Sequence, residues 1–390
     1  MHPHPFQHLM NLVKRPSAVM VRGEGSSIWD ENGKRYLDFV QGWAVNCLGH
    51  CPPELTAALA RQASELVSTS PAYHNRPALE LGARLADLSG LAKVFLASTG
   101  AEANEGAIKL ARKWGKVHRD GAYEIITAHG GFHGRTLATM AATGKPGWDL
   151  MFPPAVPGFV KVPYGDAAAV EAAVTARTVA VMVEPIQGEA GVVVPPEGYW
   201  RGLREVTERH GLLLIADEVQ TGMGRTGELF AHRHEDIHVD VMTLGKGLGG
   251  GVPLAALLAS ERAACFERGE QGGTFVGNAF TAAAGLAVID ALTTEGFSKR
   301  VVEAGARLEA GLRALAPRVV EVRGRGLLLA ARLPTESAER VRDVAFDLGL
   351  LLNAVRPDTL RFMPALNVSD GEIDEMLGVL GRALAEASSA

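Results

Sequence analysis

The chain has 390 residues, 47% hydrophobic and 21% charged, with a formal net charge of −5. This is the make-up of a soluble globular protein of two or three lobes with a large buried core, and it offers no basic field for nucleic acid or an anionic membrane. No apolar run approaches the ~18 residues that span a bilayer, and Met1-His2-Pro3-His4-Pro5-Phe6 does not read as a secretory signal.

His2, His4 and His8 read as a loose terminus rather than a metal site. Ser27-Ile28-Trp29 and Arg35-Tyr36-Leu37 flank Asn32-Gly33, which predicts a hairpin. Cys47, Cys51 and Cys265 form an odd, sparse set that suits a reducing compartment, hence the cytoplasm. No second Cys/His pair has finger spacing, so Cys47 and Cys51 read as buried thiols. From about residue 55 to 260, strand-like runs alternate with helical patterns. Residues 94–97 read as a strand, followed by Ala107, Leu110, Ala111 and Trp114 at helical spacing. Residues 178–183 read as another strand, and 199–210 as a helix stopped by Gly211. This alternation predicts a mostly parallel sheet with helices on both faces. After about residue 280 comes a helix over 280–292, then an α+β tail. Its strands are expected at 319–322, 327–331, 350–352 and 359–363, before a capping box at Ser369-Asp370-Gly371-Glu372. The expected organisation is a large α/β domain over 55–285 and a smaller lobe made from 1–54 and 286–390.

Two apolar runs end on chemistry. Leu212-Leu213-Leu214-Ile215-Ala216 closes on Asp217-Glu218, and residues 239–244 close on Gly245-Lys246-Gly247. Open α/β sheets place ligands at the carboxyl ends of parallel strands. An acid at one such end and a lysine at a later one is the layout of a pyridoxal phosphate site. The lysine can form an imine with the aldehyde, and the carboxylate can keep the pyridine nitrogen protonated.

Other stretches allow two readings each. Ser98-Thr99-Gly100-Ala101-Glu102 is either an anion cradle at a helix start or an ordinary N-cap. In His129-Gly130-Gly131-Phe132-His133-Gly134-Arg135, Phe132 can stack on a cofactor ring or be core. Arg135 can clamp a carboxylate or be a surface charge. No acidic third ligand accompanies His129 and His133, so no metal is expected. Glu184 ends a strand and can pair with a substrate-binding arginine or be a satisfied acid. Gly222-Met223-Gly224-Arg225-Thr226-Gly227 fits G-x-G-x-x-G, but Asp217-Glu218 intervene and no apolar helix opens from it, which argues against a dinucleotide site. Lys246 is no P-loop lysine, because the upstream glycine would fall at Asp240. Gly272-Gly273-Thr274-Phe275-Val276-Gly277-Asn278 is a small-residue loop with a hydroxyl, or a simple turn.

Taken together with Gly49-His50-Cys51-Pro52, Lys246-Gly247-Leu248-Gly249-Gly250-Gly251-Val252-Pro253 and Leu360-Arg361-Phe362-Met363-Pro364, these stretches resemble the fold-type I, class III aminotransferases. The resemblance runs nearly end to end and is strongest to those acting on acetylornithine. It implies a seven-stranded-type sheet, pyridoxal 5′-phosphate as cofactor, and a homodimer with shared active sites. It implies transfer of an amino group from acetylornithine to 2-oxoglutarate, a step of arginine biosynthesis. By resemblance, Lys246 holds the cofactor and moves the proton, and Asp217 pairs with the pyridinium nitrogen. Gln220 sits near the phenolic oxygen, and Val219 and Phe132 lie on opposite ring faces. Gly100 and Ala101 hold the phosphate, with Thr274 reaching in from the neighbouring subunit. Arg361 clamps the α-carboxylate of 2-oxoglutarate, Glu184 is its switch, and Arg135 receives the acetylornithine carboxylate. Trp43 stands near the entrance where smaller apolar residues are frequent. Ala101 replaces a common Thr, Phe275-Val276 a Tyr-Gly, and Ala279-Phe280 a Pro-Leu. Burial and cationic cofactor charge are expected to depress the Lys246 pKa. Succinylornithine, ornithine and 4-aminobutyrate are the alternative donors, with Arg135 counting against the last. The alternatives of another class are a non-catalytic binding or regulatory protein and, more remotely, an NAD-dependent dehydrogenase.

Overall fold

The apolar runs assemble into a seven-stranded sheet in a computed structural model that describes residues 6–388. His2 and His4 lie outside that range. Ahead of this sheet in the chain, a strand the sequence did not announce, β1 (Met20–Glu24), pairs antiparallel with β2 (Ser27–Asp30), and β2 with β3 (Arg35–Asp38) forms the expected hairpin. Its turn works because Gly33 takes φ 81°, a region that costs other residues a Cβ clash.

The central strands are β4 (Lys93–Ala97), β5 (Glu124–Ala128), β6 (Phe159–Val162), β7 (Thr178–Val183), β8 (Leu213–Asp217), β9 (Val241–Leu244) and β10 (Ala255–Ala259). Their spatial order is β4-β10-β9-β8-β7-β5-β6. The run from β9 to β6 is parallel, and β10 is antiparallel to both of its neighbours. Alternate residues serve different cores. Leu213 and Ile215 pack with Ile108 and Ala111 of helix Gly100–His118, while Leu214 and Ala216 pack with Leu203 and Val206 of helix Tyr199–Arg209. Both faces are covered, so these strands read as continuous apolar runs rather than alternating ones. Each buried leucine, isoleucine or valine among them contributes on the order of 1.5–3 kcal/mol.

Helix Gly100–His118 opens with a capping box. The Thr99 hydroxyl accepts from Glu102 N at 3.2 Å, and Glu102 Oε2 accepts from Thr99 N at 2.8 Å. Near its far end Gly115 lets the chain return very close, since a Cβ there would lie 1.9 Å from the Ala122 carbonyl oxygen.

The tail holds β11 (Glu321–Arg325), β12 (Leu328–Arg332), β13 (Leu350–Leu351), β14 (Asn353–Arg356) and β15 (Thr359–Phe362). Four of these form an antiparallel sheet in the order β11-β12-β15-β14. The fifth, β13, pairs in parallel with β3, so the two ends of the chain share one sheet. The first tail strand starts at Glu321 rather than 319, and its half-exposed Arg323-Gly324-Arg325 lacked an apolar signature. Strand β14 was not anticipated, because Asn353 and Arg356 mask its alternation on a sheet edge. Cys47 is buried as expected, but Cys51 is exposed, carried outward by a positive φ of 49°.

Candidate active site

Carboxyl ends of the parallel strands gather the quoted stretches along one edge of the sheet. Ser98-Thr99 follows β4, the His129–Arg135 loop follows β5, Glu184 follows β7, Asp217 ends β8, and Gly245-Lys246 follows β9. Asp217 stands opposite Thr243 in the β8–β9 register, which brings the acid and the lysine to adjacent strand ends. Missing Cβ atoms show how tight the assembly is. A Cβ on Gly100 would lie 2.6 Å from Val219 Cγ1, and one on Gly245 would lie 3.4 Å from Gly100 Cα. A Cβ on Gly134 would lie 3.0 Å from Ala101 Cβ, so the loop after β5 touches the start of helix Gly100–His118. Thr99 O accepts from Ala103 and the Thr99 hydroxyl from Glu102. By position the Gly100 and Ala101 amides have no intrahelical acceptor, and they can serve an anion.

Asp217 is 3% exposed. A buried carboxylate is costly unless its oxygens are hydrogen-bonded. Asn104 Nδ2 and His133 Nδ1 each reach Oδ2 at 2.8 Å, and Val219 N donates to Oδ1 at 3.1 Å. Burial works against a charged His133, but the hydrogen bond and charge of Asp217 outweigh it and raise the imidazole pKa. Asn104 is itself fixed, donating to His133 O at 2.7 Å and accepting from the Thr243 hydroxyl at 2.7 Å. The result is a rigid anion. Nothing in the sequence singles out Asn104 and His133 for this role; by residue type alone His133 reads only as a candidate metal ligand.

Lys246 sits at φ 42° and is half-buried. Among the described residues its Nζ has neither an ion pair nor a hydrogen bond. Burial, and after it the charge of Arg361, lowers its pKa to about 8 against the opposing charges of Glu189, Glu184 and Asp217. About a tenth of the amine is therefore neutral at pH 7, far more than for an ordinary lysine, as a nucleophile or proton acceptor needs. The protein alone produces the expected depression, without a cofactor charge.

Arg361, on β15, is 1% exposed. Its Nε donates to Asn353 Oδ1 at 3.0 Å, Nη1 to Gln220 Oε1 at 3.1 Å and Nη2 to Glu189 Oε1 at 2.8 Å. This corrects the expectation for Glu184. Glu184 Oε1 instead accepts from Phe132 N at 2.8 Å, and burial pushes its carboxyl up to about 7. The reason is distance along the chain: Glu184 directly follows β7, whereas Glu189 lies beyond it, within the turn closed by the Gln187–Val193 bridge, and reaches β15. Burial alone would raise the Glu189 carboxyl, but Arg361 and Lys145 hold it at about 2. Val183-Glu184-Pro185-Ile186-Gln187-Gly188-Glu189 holds both glutamates, so a second acid after the strand was the available signal. Gln220 Nε2 is buried without an acceptor.

The remaining expected residues lie further out. Phe132 is part-buried and meets Trp148 edge-on at 5.8 Å. Arg135 is exposed, with its guanidinium 4.8 Å from the Trp148 ring centroid. Trp43 is 49% exposed, in a left-handed run where Gln41, Gly42, Trp43 and Ala44 have φ of 47°, 63°, 62° and 67°. Thr274 is exposed and, among the described residues, hydrogen-bonds to nothing in its own chain. The Gly222–Gly227 turn serves structure: it carries buried Arg225, which donates to Leu327 O at 3.1 Å and Pro364 O at 2.6 Å.

Residues 10–384 match the model of the family described as aminotransferase class-III. An acetylornithine aminotransferase 2 of Bordetella bronchiseptica is 54% identical over 97% of this chain and 96% of its own. A crystal structure of ornithine aminotransferase from Toxoplasma gondii superposes with a TM-score of 0.94 at 32% identity, covering 98% of this chain and 94% of that one. N-acetylornithine aminotransferase from Stenotrophomonas maltophilia does so with a TM-score of 0.85 at 37% identity, covering 96% and 97%.

Proposed function

From the premise that the chain belongs to the class-III aminotransferases, we propose that it moves the terminal amino group of N2-acetyl-L-ornithine to 2-oxoglutarate. The products are N-acetylglutamate 5-semialdehyde and L-glutamate, in arginine biosynthesis. The observation that carries the reading is Lys246, a half-buried amine without an ion pair among the described residues, beside the rigid anion Asp217.

Enzymes of this family depend on pyridoxal 5′-phosphate, whose aldehyde takes up an amino group and whose protonated ring draws electrons from the neighbouring carbon. The residues fit that group. Asp217 would hold the ring nitrogen protonated, and the Gly100 and Ala101 amides would hold the phosphate. The buried, unpartnered Gln220 Nε2 is a donor free for the phenolic oxygen. Val219 and Phe132 would flank the ring, and Lys246 would bind the aldehyde. Neutral Lys246 would take the proton from the amine-bearing carbon of the donor and, as the resulting ammonium, would hold it for delivery to the cofactor. Arg361 orients the α-carboxylate of 2-oxoglutarate, with Glu189 in the pairing role first expected of Glu184. Arg135 takes the donor's carboxylate, and Trp43 borders the entrance. Orientation and fixed charge are the protein's contribution.

The working unit is a cytoplasmic homodimer in which Thr274 of each copy serves the other's phosphate. Exposed apolar Leu137, Leu150, Met151, Phe152 and Phe275 support a covered surface. Its domains are residues 55–285, bearing the cofactor, and a lobe of 1–54 with 286–390, supported by the β3–β13 pairing.

Initial rates with 2-oxoglutarate and each of acetylornithine, succinylornithine, ornithine and 4-aminobutyrate test the assignment. Acetylornithine is expected to give the highest kcat/KM, and a preference for 4-aminobutyrate would overturn it. Lys246→Ala is expected to lower the rate about 10³-fold.

A further inference from the structure

Arg361 already has an acceptor on each of its three nitrogens, Asn353, Gln220 and Glu189. A planar guanidinium binds a carboxylate best through two parallel N–H bonds. A substrate carboxylate therefore competes with Glu189, and when it wins, the Glu189 carboxylate needs another partner or remains as an unpaired, largely buried charge.

That partner is already in place. Lys145 Nζ lies 3.1 Å from Glu189 Oε2, on the oxygen that Arg361 does not use. The lysine does not depend on Glu189 for its position. Its ammonium sits 5.1 Å from the Phe132 ring centroid and 5.0 Å from that of Trp148, and Trp148 carries Arg135 at 4.8 Å. Two aromatic faces hold a cation where Glu189 can fall back on it. The Lys145 and Glu189 side chains are 23% and 27% exposed, so water screens this pair without abolishing it.

We propose that Lys145 is a positioning residue that receives the Glu189 carboxylate when a dicarboxylate substrate claims Arg361, and so sets the enzyme's affinity for the oxo-acid acceptor separately from that for the amine donor. The proposal rests on the aminotransferase reading above and adds a residue to it. An acceptor must displace Glu189. A donor whose carboxylate goes to Arg135 leaves the Arg361–Glu189 pair closed and meets Lys145 only across the Trp148 ring.

The test uses the holoenzyme and measures the two half-reactions separately by absorbance. The proteins are wild type, Lys145→Met, Lys145→Arg, Glu189→Gln and the Lys145→Met/Glu189→Gln double variant. In Lys145→Met, Glu189 has only Arg361, so half-saturation by 2-oxoglutarate is expected to rise about fivefold. The limiting rate and half-saturation by the donor are each expected to change less than twofold. Lys145→Arg is expected to restore acceptor binding, and the Glu189→Gln background to erase the effect. A second readout needs no turnover: calorimetric affinity for glutarate, an unreactive dicarboxylate, is expected to fall by a similar factor in Lys145→Met. Equal losses in both half-reactions, or no change in acceptor and glutarate binding, would overturn the proposal. A wild type that transaminates none of the donors would defeat the assigned function instead, and glutarate binding would still decide the role of Lys145.

Discussion

Lys246 gives the site a pH signature of its own. Its folded-state pKa of about 8 lies below the ordinary 10.5. Between those values the unfolded chain binds more protons than the folded one, so stability rises with pH across that window. At pH 7 the charged amine costs the fold roughly 2 kcal/mol, after allowance for its partial exposure. Cofactor-free Lys246→Met is therefore expected to exceed wild type in urea stability at pH 7, by a margin that shrinks toward pH 10; a constant margin would contradict this. Lys246 and Asp217 were legible in the sequence because each closes an apolar run, a purely local signal. The choice between Glu184 and Glu189 was not, because it depends on β15 lying beside the turn after β7. Lys145 and Trp148 gave no sign either, since a cation between two rings arises only when a loop folds back on itself.

At the scale of elements, helix Gly100–His118 has two demands, one at each end. Its start supplies free amides to the site, so its axis must point at the end of β9. Its end must let the chain turn back into β5, which it does over Gly115, with the Ala122 carbonyl against the missing side chain. Gly115→Ala is expected to destabilise the protein by about 2–3 kcal/mol through overpacking against rigid backbone. The check is a lowered urea midpoint at unchanged m-value, and a stability within 0.5 kcal/mol of wild type, the usual range for a neutral surface change, would refute it. The strands of the central sheet were readable because burial on both faces writes an unbroken apolar run. Strand β14 and the exact start of β11 were not, because a sheet edge tolerates Asn and Arg, and only pairing partners far along the chain define it.

For the molecule as a whole, the proposed sharing of sites makes activity a property of the assembly. Light scattering is expected to give twice the chain mass, and specific activity to fall on dilution into the range where the dimer dissociates. A monomer of full specific activity would refute the sharing. The β3–β13 pairing has a different consequence, one for biosynthesis. Leu37 pairs with Leu350, so the amino-terminal ribbon emerges from the ribosome long before the strand that completes its sheet. Domains fold as they are synthesised, but contacts this distant in sequence form late. The nascent ribbon is thus expected to keep an unpaired edge while the whole central sheet is made, so the second lobe closes only after the segment around Leu350 has emerged.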